Sequence, residues 1–415
     1  MPALSALVLQ ASGLHRSTAV IALHHLGYGQ LSEVTSTAFA LDRLRNAVGV
    51  HLLICDVRIN PLARLEFLQT VAREGLAQGI VISGEMAPGT WTALAHLLQL
   101  QGIKAFWLGN EPATLERLRI LLADFVPQEQ ESHPQPLQPE QGRSDGDDGF
   151  AFLGKGSPRA YFQPKVDVAT AQPYGFEVLA RWQCEDGQEL SPDVFLPQLR
   201  RNGLLDTLLF ALMRQAADAL RSRGRADLEL SFNLEAEQIA QPGFSATLER
   251  ELNRLELDPR NVTFELTESS PLHAPSLSLE NVLRLRLLGC GLAIDDFGCG
   301  HSTLQRLVEL PFTELKLDRS FLADLGGGNP RRLIVLRNSL ALGRELGLHV
   351  VAEGVENAVQ HRQLQSLGCD AAQGYLFGRP VPAEQLDRLL RTRPPRLRKA
   401  ELAYKKAESV IRLVE

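Results

Sequence analysis

The run Leu292-Ala293-Ile294-Asp295-Asp296-Phe297-Gly298 carries three apolar strand formers straight into two adjacent carboxylates. Like charges that close raise each other's pKa unless a cation neutralises them. A divalent metal is the usual neutraliser, so the pair points to a metal site and, through it, to phosphate chemistry. Other short apolar runs end in the same manner, at Glu177, Asn233, Glu265, Lys316 with Asp318, Glu353 and Gln373. Hard divalent cations take oxygen ligands, which Asp, Glu and the Asn amide supply. One acid at a strand end means little, because loops are generally polar. An acid or amide on strand after strand, facing one rim, makes a site. Lys316 has a plain role as a salt-bridge partner and a chemical one, holding a nucleophilic water or a phosphate oxygen. Carboxylates enough for two metals suit in-line attack on a phosphodiester.

These residues need a scaffold that brings strand ends to one rim. From Ala160 to about Leu390, strands at Gly175–Leu179, Glu229–Leu234, Val262–Leu266, Leu292–Asp296, Glu314–Leu317, His349–Ala352 and Ala371–Tyr375 are each followed by a loop and a helical pattern. That rhythm predicts a β/α barrel, whose catalytic face lies at the C-terminal strand ends. Before it, Leu4–Leu9, Leu52–Asp56, Gly79–Ser83 and Lys104–Trp107 read as strands, with helices over Thr18–Leu26 and Thr114–Leu122. This alternation predicts a parallel sheet with helices on both faces. The expected division is 1–125 for the smaller domain, 126–154 for a Pro/Gln/Gly-rich linker, 155–393 for the barrel and 394–415 for a C-terminal extension. In the extension, Ala400, Ala403, Ala407, Val410 and Val414 fall at helical spacing.

The 415 residues suit two domains, and a net charge of -6 argues against a general nucleic-acid binder. The five cysteines form no CxxC pair, so neither a zinc site nor a disulfide framework is expected. No apolar run is long enough to span a bilayer and the N-terminus lacks a signal-peptide pattern, so the expectation is a cytoplasmic protein without membrane insertion.

Several ordered segments together resemble the EAL domain family. Tyr161-Phe162-Gln163-Pro164-Lys165-Val166-Asp167 is similar to the opening of these domains, and Glu177-Val178-Leu179-Ala180-Arg181-Trp182 to their signature, with Val178 in place of Ala. Phe264-Glu265-Leu266-Thr267-Glu268, Asp295 to Gly300, Lys316 to Phe321, Val351 to Glu356 and Gln373-Gly374-Tyr375 follow in family order. The resemblance implies a modified (β/α)8 TIM-type barrel that hydrolyses cyclic di-GMP to linear pGpG with two Mg²⁺ or Mn²⁺ ions, lowering a bacterial second messenger. It implies Glu177, Asn233, Glu265 and Asp295 as ligands of one metal, with Asp295 bridging to a second that Asp296 contacts. It implies Glu353 as the essential acid, Lys316 as the group orienting the attacking water, and Glu268 as the anchor of the loop after Asp296. Gln163, Leu179, Arg181 and Gln373 would position substrate and water. Glu235, Cys299 and His301 depart from the common pattern, the last two within that loop.

The N-terminal part resembles a response-regulator receiver, a flavodoxin-like doubly wound domain. Asp56 matches the phospho-acceptor and Ser83 the switch hydroxyl. Gln10 and Ala11 stand where an acidic pair should hold Mg²⁺, and Asn110-Glu111 replaces the expected Lys. Phosphoryl transfer to an aspartate needs that metal, so a degenerate receiver used for docking or dimerisation is expected, the alternative being an Asp56 that still accepts phosphate weakly. The family implies a homodimer or higher oligomer through the barrel, a sensor kinase or other protein on the receiver, and no DNA. The alternative to an enzyme is a catalytically inactive cyclic di-GMP receptor that acts through protein partners.

Overall fold

A computed structural model describes residues 4–58, 60–127, 156–267, 274–298, 303–322 and 330–391. Contacts divide the chain into one unit of residues 1–143, 274–288 and 308–311 and a second unit of the remainder.

In the first unit, β1 (Leu4–Leu9), β2 (Tyr28–Val34), β3 (Val50–Asp56), β4 (Ala77–Ser83) and β5 (Lys104–Gly109) alternate with helices Gly13–His25, Thr37–Asn46, Pro61–Arg73, Pro88–Leu100 and Leu115–Leu121. The strands pair in parallel in the order β2-β1-β3-β4-β5. This is a doubly wound, flavodoxin-like sheet. Its central strands read as unbroken apolar runs because helices cover both faces; Leu52, Leu53, Ile54 and Cys55 are all fully buried. Helix starts are set by side-chain caps: Ser12 accepts from His15 N, Ser36 from Phe39 N and Asn60 from Ala63 N. The sequence reading names no strand at β2, which buries only its two ends and so carries a weak apolar signal.

The second unit is built on β6 (Gly156–Asp167), β7 (Pro173–Cys184), β8 (Glu189–Leu190), β9 (Glu229–Asn233), β10 (Val262–Thr267), β11 (Gly291–Phe297), β12 (Glu314–Leu317), β13 (His349–Ala352), β14 (Ala371–Gln373) and β15 (Val381–Pro382). β7 and β9 to β14 pair in parallel around the barrel. β6 closes it by pairing antiparallel with both β7 and β14. The expected modified barrel is therefore observed, with one reversed strand that does not figure among those read from the sequence. Helix Leu205–Arg221 buries Leu208, Leu209, Leu212, Met213, Ala216 and Leu220 along one stripe. Such a stripe packs against the sheet at about 2 kcal/mol per large apolar side chain.

The barrel interior is also polar. Lys165 Nζ, wholly buried, donates to Glu229 Oε1 at 2.8 Å, Ser231 Oγ at 2.9 Å and Glu314 Oε1 at 2.9 Å. A buried ion cluster of this kind holds only because every charge is paired. Among the described residues no helix is long and apolar enough to cross a membrane. The expected linker from 128, the loop residues Glu268, Cys299 and His301, and the extension 394–415 lie outside the described residues.

Candidate active site

Pairing register brings the strand-end residues to one rim. Gln163 on β6 stands opposite Glu177 on β7, and Glu265 on β10 opposite Asn233 on β9. Leu179 and Arg181 lie two and four residues beyond Glu177, so alternation returns them to its side of the strand. Between β11 and β12 the register slips: Ile294 pairs with Leu315 and Phe297 with Leu317. Two residues, Asp295 and Asp296, thus oppose the single residue Lys316. A β-bulge re-aims side chains that would otherwise point to opposite faces. Asp296 meets the demand with φ 56°, a left-handed conformation uncommon for a non-glycine residue and typical of functional sites. The two acids are thereby aimed together; carboxylate oxygens of Asp295, Asp296 and Glu353 all lie within 4.8 Å of one another.

Lys316 is the centre of the cluster. Its Nζ lies 2.5 Å from Glu265 Oε2, 2.8 Å from Glu353 Oε1, 2.9 Å from Asp295 Oδ1 and 3.5 Å from Glu177 Oε2. Burial alone would push the ammonium's pKa down, but Asp295, Glu177, Glu265 and Glu353 outweigh it and hold the value well above the ordinary one. Glu177 is pushed up by burial, yet Lys316 and hydrogen bonds from Gln373 and Asn233 bring it below the usual carboxylate value. Burial, and then the neighbouring Glu177, holds Glu265 well above that value. Burial, helped by Asp295, pushes Glu353 to about 8, against the pull of Lys316. Asp296 is raised by burial and by Asp295. One ammonium does not neutralise this many carboxylates, so the cluster has the charge deficit that divalent cations fill.

The amides complete the cluster. Gln373 Nε2 donates to Glu177 Oε2 at 2.5 Å and to Gln163 Oε1 at 3.0 Å, while Asn233 Nδ2 donates to Glu177 Oε1 at 3.1 Å. Buried Glu265 Oε1 and Gln373 Oε1 have no hydrogen-bond partner among the described residues. Unpaired buried oxygens cost free energy unless they serve a ligand. The donor set is all oxygen, as a hard cation requires. Arg181 stands apart from the carboxylates: its guanidinium stacks 5.6 Å from the Tyr161 ring and its Nε lies 3.5 Å from Glu189. Glu268 lies outside the described residues. The sequence reading finds the ligating residue types but misses the glutamine relay and the sharing of Lys316 by four acids. Both are contacts between distant strands, which spacing along the chain does not encode.

In the first unit, Asp56 ends β3 beside Ser83 of β4 at the point where strand order reverses. Arg58 occupies it: Nε donates to Oδ1 at 2.9 Å, Nη2 to Oδ2 at 2.6 Å, and the backbone N to Oδ1 at 3.0 Å. Burial pushes Asp56 up, but these bonds more than offset it and its pKa lies below the ordinary value. Gln10, one of the residues standing where acids are expected, donates to Ser83 Oγ at 3.3 Å. The signal missed in the sequence is Arg58 two residues after Asp56, a spacing that lets a planar guanidinium fold back onto both oxygens.

The family model described as EAL domain matches residues 152–380. The cyclic di-GMP phosphodiesterase RocR of Pseudomonas aeruginosa is 34% identical over 92% of this chain and 97% of its own length. The bifunctional diguanylate cyclase/cyclic di-GMP phosphodiesterase MucR of the same organism is 38% identical over 54% of this chain, which spans 33% of that longer protein. A solved structure described as the PaMucR phosphodiesterase in complex with c-di-GMP matches with a TM-score of 0.51 and 37% identity, over 55% of this chain and 94% of its own.

Proposed function

The chain belongs to the EAL domain family, and from that premise we propose that it hydrolyses cyclic di-GMP to linear pGpG. The observation that carries the reading is the buried cluster in which Glu177, Glu265, Asp295 and Glu353 share one ammonium, with Asp296 bulged in beside them. A domain that only bound the nucleotide would gain nothing from keeping so many unneutralised carboxylates in a buried site.

Glu177, Asn233, Glu265 and Asp295 would hold one divalent cation, and Asp295 with Asp296 a second, Mg²⁺ or Mn²⁺ in either case. Such ions polarise a phosphodiester and make a bound water acidic at neutral pH. Arg181, with its planar and permanently charged fork, binds a phosphate of the substrate. Leu179 and the paired amides of Gln163 and Gln373 position substrate and water. Lys316 Nζ donates to the attacking water, and Glu353 accepts a proton from it. Attack on phosphorus breaks the bond to one 3′ oxygen and opens the ring to the linear dinucleotide.

Glu268 anchors the loop after Asp296 in this reading. The boundaries 1–125, 126–154, 155–393 and 394–415 stand as proposed domain limits, with 1–125 a receiver-like module that docks a sensor kinase or another protein. Its acceptor carboxylate is already neutralised by Arg58. Self-association through the barrel belongs to the same reading.

The test is incubation of the purified full chain with cyclic di-GMP and Mg²⁺ or Mn²⁺, with and without EDTA. The expected result is conversion to pGpG that EDTA abolishes. Tight nucleotide binding without turnover under either metal would overturn the reading in favour of a receptor.

A further inference from the structure

A second charged cluster lies inside the barrel, one layer below the rim. Lys165 of β6 is its centre and is wholly buried. All three of its donors are used. Nζ lies 2.8 Å from Glu229 Oε1, 2.9 Å from Ser231 Oγ, and 2.9 and 3.0 Å from the two oxygens of Glu314. Glu229 and Ser231 belong to β9, and Glu314 to β12. Among the described residues, no two of β6, β9 and β12 pair with each other: β7 separates β6 from β9, and β10 and β11 separate β9 from β12.

Side chains two residues apart on a strand share a face. On each of the three strands, the residue two positions nearer the rim belongs to the site: Gln163 above Lys165, Asn233 above Ser231 and Lys316 above Glu314. One ammonium thus ties together the strands that carry Gln163, Asn233 and Lys316. Stability does not account for the tie. Barrel interiors are usually filled by branched apolar side chains, and replacing a buried ion pair with such side chains is often neutral or stabilising. Placement does account for it. β12 is four residues long, and its pairing with β11 skips Lys316. The ladder is disrupted at such a bulge, so side chains must help fix how far Lys316 reaches into the site.

We propose that Lys165 is a positioning residue for the hydrolysis: through Ser231 and Glu314 it sets the heights at which Asn233 and Lys316 stand beside Gln163. This step rests on the cyclic di-GMP reading above. Lys165 lies a layer below the residues assigned to substrate and metal and acts only through them. Its loss misplaces the groups that act on the attacking water, and so lowers kcat more than it raises KM.

The experiment compares the full chain with Lys165→Met/Glu314→Leu, Glu314→Gln and Ser231→Ala. The double variant removes one positive and one negative charge, so the net charge of the interior is kept. Glu229, whose side chain is 25% exposed, is left to water. Measured are kcat and KM on cyclic di-GMP, Mn²⁺ affinity without nucleotide by electron paramagnetic resonance, and urea midpoints. The double variant should keep a urea midpoint at or above that of the parent. Its kcat should fall about 30-fold with KM within about threefold, and it should bind Mn²⁺ about tenfold more weakly. Glu314→Gln keeps an acceptor for the ammonium, and its kcat should stay within about fivefold of the parent. Ser231→Ala loses one of the ties, should lower kcat about fivefold, and gives a second readout if the double variant does not fold.

A folded double variant with parent-like kcat and Mn²⁺ affinity would overturn the positioning role while leaving the hydrolysis reading intact. Unchanged kcat in Ser231→Ala would do the same where the double variant does not fold. A fall in kcat that only tracks a fall in urea midpoint across the variants would also overturn it, as the mark of a cluster that merely holds the fold. So would equal losses in Glu314→Gln and the double variant, which would point to the charge of Glu314 and not to the tie. A parent chain that forms no pGpG would overturn the hydrolysis reading, and the Mn²⁺ affinities would then decide the positioning of Asn233 alone.

Discussion

At the scale of single residues, Lys316 decides whether the cluster is stable. Lys316→Met leaves Glu177, Glu265, Asp295 and Glu353 without their shared cation. The EDTA-treated variant should lose about 3–5 kcal/mol in urea unfolding, the cost of an uncompensated buried charge. Glu353 gives a pH dependence. Its ordinary value is 4.5 and its folded value about 8. Between these, the folded protein holds a proton that the unfolded chain has released. Stability of the metal-free protein should therefore fall as pH rises through that window. A cation binding there must displace the proton, so Mg²⁺ affinity should rise from pH 6 to about 8, measured by calorimetry in two buffers of different ionisation enthalpy. Asp56 behaves in the opposite sense. Its folded value is depressed, so the Arg58 contribution is present at neutral pH and lost as pH falls below the ordinary value of 3.8. Arg58→Ala should cost about 1–2 kcal/mol at pH 7 and progressively less as pH falls below 3.8, as read by denaturant midpoints. Asp295 and Asp296 were legible in the sequence because paired anions after an apolar run are costly without a purpose. The Arg58 fork was not, because an arginine near an acid is common on any surface.

At the scale of elements, the site depends on two local irregularities. The bulge at Asp295 and Asp296 sets Asp295 on Lys316 and keeps Asp296 beside Asp295 and Glu353. The fastening of Gln373 to Val355 ties the glutamine relay to Glu353. Gly374→Ala tests the second. A Cβ there meets the backbone of Val355, so the segment must shift. The variant should lose at least about 1–3 kcal/mol of stability and turn over cyclic di-GMP more slowly, even though Gln373 and Glu353 are both retained. Strand positions were legible wherever an apolar run met a polar end, as at Glu265 and Lys316. The reversal of β6 was not, because alternation in Gly156–Asp167 is the same read in either direction. Nor was the bulge, since a register slip is a property of the pair β11 and β12 and not of either strand alone.

At the scale of the whole molecule, a parallel sheet covered by helices and a β/α barrel were both legible from the rhythm of strand and helix, the barrel through seven of its eight strands. The fill of each site was not, because it rests on contacts between residues far apart in sequence. A self-neutralised acceptor predicts that acetyl phosphate leaves the intact mass of the chain unchanged, and an added phosphoryl group dependent on Asp56 would contradict it. Light scattering should give a mass of at least two chains. The central claim is that the rim cluster hydrolyses cyclic di-GMP through Glu353. Its most direct test is chromatographic measurement of pGpG formed by the full chain and by Glu353→Ala, side by side in Mg²⁺. The parent chain should be at least about 100-fold faster. Equal rates, or no pGpG from the parent chain, would contradict it.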